Sequence, residues 1–255
     1  MGGSTGVALV DGVLMPIEQA AIPVTDPGYA LGATVFESTF ADGRRDPGAN
    51  LVRLRESAEA AGIPMPDEGL LRAEIEQVRV AMGGRAVIRV DLTGGGRRMV
   101  FGTPVDPGRF HRAIRAWRAP WVDQPLLPGF VKHRSRAPWW AEIRRRDVDE
   151  LLFVDGDGRF TEGSSCGVLA VIDGRLWTAP WDGRILRSTT VERLLGHAEA
   201  LGVEVVRQGP PASGGWDALY VASTTRSLAP VASLDGEALA QWEPLGRALA
   251  DADDE

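Results

Sequence analysis

Two hydrophobic periods alternate along this chain, and the places where one gives way to the other mark its elements. Gly6 to Val10 is a short apolar run before Asp11-Gly12 and predicts a strand and turn. Thr34 to Phe40, TVFESTF, is rich in β-branched and aromatic residues and predicts a second strand ending at Asp42-Gly43. Leu51, Leu54, Ala58 and Ala61 then step by three and four, which places them on one helical face that Pro64 terminates. Leu70 to Met82 repeats the helical period and runs into Gly83-Gly84, a C-cap signal. The period returns to two in AVIRVDL, with Ile88, Val90 and Leu92 on one face and Val87, Arg89 and Asp91 on the other. Two more strands are expected around Arg98 to Gly102 and Arg112 to Ala119.

The stretch APWVDQPLLPG carries three prolines and predicts a linker. Beyond it, Phe130 to Arg136 is expected as a strand, and Pro138 to Arg146 as a helix with its proline in the first turn. ELLFVDGDGRFTEG and SCGVLAVIDGRLWTAP each predict a hairpin. Thr189 to Leu201 predicts a helix closed by Gly202, Val203 to Arg207 and Ala218 to Ser223 predict strands, and a last helix is expected from near Glu237. The acidic end, Asp251 to Glu255, is expected to fray. The whole pattern predicts two α/β lobes of α+β type, residues 1–118 and 129–255, joined by a linker over 119–128.

Composition narrows the function classes. With 255 residues, 44% of them hydrophobic, the chain can bury a sizeable core. A net charge of −7 and a pI near 5.1 argue against nucleic-acid or membrane-surface partners. The run Arg144-Arg145-Arg146 follows Trp139, Trp140 and Ile143 at helical spacing and is expected to be a solvated helix face. No apolar run approaches the roughly 20 residues of a membrane helix, and Met1 to Val10 lacks the pattern of a leader. The single cysteine, Cys166, forms no internal disulfide and suits a reducing cytoplasm. His111, His133 and His197 lie far apart, so no metal site is expected.

One residue stands out chemically. Lys132, in GFVKHRSRAPWW, is the only lysine among 28 Lys and Arg residues. Arginine serves wherever solvation or charge suffices, but only lysine can shed its proton and attack a carbonyl, so Lys132 is a candidate Schiff-base lysine. A stray lysine in an arginine-preferring chain would look the same. Donors for a phosphate are available at Ser188-Thr189-Thr190, where ILRSTTVERL enters a helix and presents free N–H groups. Thr189 and Glu192 also have the spacing of a capping box, which needs no ligand. Ser223-Thr224-Thr225 follows a predicted strand and is either a second donor cluster or an ordinary turn. Arg53 lies early in a helix among surface-type residues, and Glu162, in FTEGSSCG, is a carboxylate on a strand that suits a pyridine nitrogen.

Taken in order, LGATVFESTF, NLVRLRESAEAAGIPMP, VKHRSR, DGDGRFTEGSSCGVLAVIDGRLWTAP, ILRSTT and YVASTTRSLAPV resemble the class IV pyridoxal-phosphate aminotransferases. That family includes branched-chain and D-amino-acid aminotransferases and 4-amino-4-deoxychorismate lyase. The resemblance runs from about Asp11 to Gly236. It implies the two-lobed class IV fold with pyridoxal 5'-phosphate between the lobes, and a homodimer. Lys132 matches the cofactor-bearing lysine and Glu162 the partner of the pyridine nitrogen. Arg53, Ser188, Thr189, Thr190, Thr224 and Thr225 match the phosphate-binding positions. Phe36 and Arg89 match substrate-facing positions, and Arg97 lies just beyond the strand-end loop where the D-amino-acid and lyase subgroup keeps an arginine.

The chain departs from the family pattern at several positions. Ala137 replaces an aromatic residue, Ser188 a glycine and Val191 an arginine, and Arg226-Ser227 stands where a glutamate is common. VFES resembles the branched-chain subgroup, whereas KHRSR resembles the lyase subgroup. The implied activity is transamination between a small amino acid and a 2-oxo acid. An elimination on an aminochorismate substrate and a non-catalytic cofactor- or partner-binding role remain as alternatives.

Overall fold

The computed structural model describes residues 6–41, 46–83, 86–122, 126–240 and 242–254. The turn expected at Asp42-Gly43, the second glycine of the Gly83-Gly84 cap and part of the proline-rich stretch lie outside the described residues. The chain divides into two compact units, Met1–Asp106 with Pro125–Arg136, and Pro107–Gln124 with Ala137–Glu255. This division differs from a single break over 119–128. Ile114–Pro120 is a strand inside the second unit, and the segment around Lys132 returns to the first. Lys132 therefore belongs with the N-terminal residues, not with the C-terminal lobe.

The first unit is an antiparallel five-stranded sheet flanked by helices. Its strands are β1 (Val7–Val10), β2 (Val13–Pro16), β3 (Thr34–Ala41), β4 (Ala86–Thr93) and β5 (Arg98–Pro104), in the order β2-β1-β5-β4-β3. Between β2 and β3 lies a single helical turn, α1 (Pro27–Ala30), capped by Asp26, whose carboxylate accepts from Gly28 N at 2.7 Å. The helices α2 (Gly48–Ala60) and α3 (Glu68–Met82) bury Leu51, Leu54, Ala58, Leu71, Ile75 and Val78 against Ile88, Val90, Leu92 and Val100. Asp67 caps α3 by accepting from Leu70 N, and Gly83 ends it with a left-handed φ of 67°. That conformation is cheap only for glycine.

The second unit is a nine-stranded sheet, built from β6 (Ile114–Pro120), β7 (Glu150–Val154), β8 (Phe160–Gly163), β9 (Gly167–Ile172), β10 (Arg175–Thr178), β11 (Val205–Arg207), β12 (Ala218–Ser223), β13 (Ser227–Leu234) and β14 (Glu237–Ala238). Its strand order is β11-β10-β9-β12-β13-β6-β7-β8, and β8 also pairs with β9, so six strands close on themselves. Alternate residues of β9 serve two cores. Val168 and Ala170 pack inside with Phe160, Leu219, Val221 and Val231. Leu169 and Val171 pack outside with Leu194, Leu195 and Leu249. A strand buried on both faces reads as a continuous apolar run, which is why VLAV shows no alternation. The helices are α4 (Ala137–Arg146), α5 (Thr189–Ala200) and α6 (Pro244–Asp254).

Three sequence expectations change here, and one strand is new. Phe130 to Arg136 is not a strand but an extended segment joined to β3 by a single bridge, Val35 to His133. β13 falls in a stretch with no sequence expectation, and Pro230 in its middle argues against a central strand. The last helix begins at Pro244, not near Glu237. The acidic end is helical and anchored through Asp254 rather than frayed, since the buried Asp253 accepts hydrogen bonds from Arg193 and Ser227; Glu255 lies outside the described residues.

Candidate active site

The first unit brings Lys132 to a defined place. Its carbonyl accepts from Phe36 N at 3.0 Å and its N–H donates to Ser57 Oγ at 3.1 Å, while Arg134 N donates to Thr34 O at 2.9 Å. These bonds hold the 132–136 segment along β3 and carry the Lys132 Nζ to 5.0 Å from the centroid of the buried Phe36 ring. Arg89 reaches the same ring, its guanidinium carbon also 5.0 Å from the centroid, with Nε donating to Ser38 Oγ at 3.2 Å. The alternation along β4 explains this, because Ile88 and Val90 face the core while Arg89 and Asp91 share the other face. Lys132, Phe36 and Arg89 thus come together.

Arg53 is buried rather than solvated. On the buried face of α2, its Nε donates to Glu37 Oε1 at 2.6 Å and its Nη2 to Oε2 at 2.7 Å. Asn50 donates to the same carboxylate at 3.0 Å. Burial pushes the Glu37 carboxyl up, but the charge and hydrogen bonds of Arg53, together with the charge of Lys132 and the Asn50 bond, hold it below its ordinary value. The Arg97 guanidinium pairs with Asp11 Oδ2 at 2.6 Å and its side chain is 42% exposed. The turn that follows Thr93 directs it toward the β1–β2 hairpin, as its N–H bond to Thr93 Oγ1 requires.

In the second unit, Ser188 is the N-cap of α5, its Oγ accepting from Val191 N at 3.2 Å. The expected capping box is absent, because the helix starts one residue earlier than Thr189 as cap would require. Glu192 falls one position too late and pairs with Arg207 instead. Thr189 and Thr190 are then the first two helical residues, whose N–H groups have no intrahelical acceptor. No other acceptor engages them among the described residues. Gly167 permits this helix end to lie close to β9, since a Cβ there would overlap Val191. Glu162 accepts from Leu186 N at 3.2 Å. Thr224 and Thr225 form the turn between β12 and β13, closed by Arg226 N donating to Ser223 O at 3.2 Å.

Sequence reasoning missed Glu37, Asp91, Arg134 and Arg136. For Glu37 the signal was a carboxylate in mid-strand, flanked by Val35 and Thr39 on the face that packs against α2. For the arginines it was the spacing Lys132, Arg134, Arg136, which in extended backbone sets all three toward one side. Arg134 Nε donates to Asp91 Oδ2 at 3.0 Å, and its Nη2 reaches the same oxygen.

Comparison with known proteins follows this geometry. The family model described as amino-transferase class IV matches residues 49–234. The branched-chain-amino-acid aminotransferase of Escherichia coli (strain K12) is 30% identical over 98 residues, 38% of this chain. The matched stretch spans only 32% of that relative's length. Among solved structures, a fold IV-transaminase from Curtobacterium pusillum superposes with a TM-score of 0.85 at 24% identity, covering 98% of both chains. The T.th. branched-chain amino acid aminotransferase, complexed with N-(5'-phosphopyridoxyl)-L-glutamate, gives 0.85 at 21% identity, over 98% of this chain and 93% of that one. At such identities the structural likeness establishes the fold.

Proposed function

We propose, from the premise that the chain belongs to the class IV aminotransferases, that it moves an amino group between a small amino acid and a 2-oxo acid with pyridoxal 5'-phosphate as cofactor. The observation that carries this reading is the position of the chain's only lysine, held along β3 with its amine at the Phe36 ring beside Arg89. The donor set fits the cofactor. Thr189 and Thr190 offer N–H groups without acceptors, Ser188, Thr224 and Thr225 offer hydroxyls, and Glu162 offers a carboxylate. The phosphopyridoxyl ligand of the T.th. enzyme, which has the same fold, supports the choice of cofactor.

When bound, the cofactor supplies an aldehyde for an amine and a ring that takes up an electron pair. The chain's own residues do the rest. Lys132 Nζ takes the proton from the α-carbon of the substrate. Glu162 holds a proton on the ring nitrogen. The α5 N-terminus and the Thr224-Thr225 turn bind the phosphate, with Arg53 as the phosphate-binding arginine that the family resemblance implies. Arg89 and Phe36 orient the substrate. A homodimer in the cytoplasm completes the proposal. The exposed Val24, Tyr29 and Leu31 support self-association, and the lone, buried Cys166 suits a reducing compartment. No described helix is long and apolar enough to cross a membrane.

The test is to mix the cofactor-loaded protein with single amino acids in the absence of an acceptor. Transamination predicts a change in the visible absorbance that persists until a 2-oxo acid is added. Release of pyruvate and 4-aminobenzoate from aminodeoxychorismate, with no acceptor needed, would replace this reading with the lyase. No response to any amino donor would leave a non-catalytic binding role.

A further inference from the structure

We infer that Asp253 is a positioning residue for the cofactor phosphate: its one buried carboxylate fixes the start of α5 and the Thr224-Thr225 turn relative to each other. This inference rests on the reading above, because it takes those two elements as the phosphate site. They come from separate parts of the second unit, α5 from Thr189–Ala200 and the turn from the connection between β12 and β13. An anion shared by two such elements binds tightly only if their spacing is set beforehand, because any freedom left in the donors is lost on binding.

The Asp253 side chain, on α6, is fully buried and accepts from both elements. From α5, one helical turn past Thr189, Arg193 donates to it from Nε and, at 3.0 Å, from Nη2. From the start of β13, just past the turn, Ser227 Oγ donates to its Oδ2. Arg193 shares a helix with Thr189 and Thr190, so holding Arg193 also holds the helix start. Ser227 has a left-handed φ of 54°, which is costly for a residue with a side chain and persists only where its surroundings impose it. A second brace acts beside the first. His111 N donates to Arg226 O at 3.0 Å and its Nδ1 to Leu228 O at 2.7 Å, while its Nε2 lies 3.2 Å from both carboxylate oxygens of Asp254. Asp253 and Asp254 thus both reach residues 226–228, one directly and one through His111. Burying α6 needs no charge, since Leu249 already packs with Leu194 and Leu195. A buried ion pair is often no more stabilising than apolar residues of its size, so what Asp253 contributes is geometry.

Equilibrium titration of the cofactor-free protein with pyridoxal 5'-phosphate and with pyridoxal tests this, because the ratio of the two affinities reports the phosphate contacts. The wild-type protein should prefer the phosphorylated form. Asp253→Ala should reduce that preference about tenfold, as expected for a contact inside one hydrogen-bond network, and Ser227→Ala should reduce it in the same direction. Because both act through that network, the double variant should lose no more than Asp253→Ala alone. Leu249→Ala, which opens a cavity under the same helix, should lower stability to urea yet keep the preference within about twofold of wild type. A preference unchanged in Asp253→Ala and Ser227→Ala would overturn the positioning role, as would fully additive losses in the double variant. An equal loss in Leu249→Ala would also overturn it, by showing general loosening of the unit. If Asp253→Ala fails to fold by circular dichroism, Ser227→Ala against Leu249→Ala decides. Wild-type protein without any preference overturns the phosphate site and the inference with it, whereas a wild-type preference that the variants share overturns the inference alone.

Discussion

Glu37 and Arg53 form a two-point ion pair in the interior of the first unit, with side chains only 2% and 8% exposed. It ties β3, which carries Phe36, to α2, whose Ser57 holds the backbone of Lys132. Two elements that set the geometry of the site are therefore joined by this ion pair, with Asn50 of α2 donating to the same carboxylate. Removing one partner of such a pair strands the other charge, and that is costlier than the pair itself is favourable.

Glu37→Gln should accordingly lower unfolding stability by about 3 kcal/mol at neutral pH, measured by urea denaturation. The sign of its pH dependence follows from the depressed carboxyl. Its stabilising contribution is complete above the ordinary value of 4.5 and is lost as pH falls through the lower folded-state value. The difference between wild type and variant should therefore shrink on acidification below about pH 4. A constant difference across that range would show that packing, not charge, makes the contact matter.

Arg97 and Arg89 should separate cleanly in steady-state kinetics. Arg97 pairs with Asp11 near solvent, so Arg97→Ala should leave kcat/KM within about twofold of wild type. Arg89→Ala removes a guanidinium at the Phe36 ring and should lower kcat/KM by about tenfold or more. Equal losses would place Arg97 in the substrate site after all.

Gly246 offers a test of packing against propensity. Alanine in a helix is favoured over glycine by about 1 kcal/mol. A Cβ at this position of α6 would, however, overlap the ring and hydroxyl of Tyr220, which accepts from Glu243 N at 3.1 Å. Overpacking of this kind costs about 1–3 kcal/mol, so Gly246→Ala should be net destabilising in a urea melt. An increase in stability would show that Tyr220 gives way freely.

What the sequence reveals depends on how local each cause is. The helices α2, α3 and α5 follow from apolar spacing, α3 and α5 also from caps a few residues away, and β4 follows from strict alternation. β13 was hidden because Pro230 is tolerated only through its particular neighbours, β12 and β6, which are distant in sequence. The anchoring of Asp253 depends on Arg193 and Ser227, again remote along the chain. At the site, Lys132 stood out by rarity and Arg89 by alternation, but the partner of Arg53 was invisible. Nothing local distinguishes an arginine facing Glu37 from one facing water. The same holds for Arg134 and Arg136, which become a cluster only when their segment lies along β3.

The central claim is that Lys132 carries the cofactor, and reduction with borohydride after incubation with pyridoxal 5'-phosphate tests it most directly. Because the chain has no other lysine, the labelling pattern is unambiguous. Peptide mass analysis should find a single reduced phosphopyridoxyl group on the peptide containing Lys132, and the Lys132→Arg protein should take none. A wild-type protein that remains unlabelled, or a Lys132→Arg protein labelled to the same extent, would contradict the account.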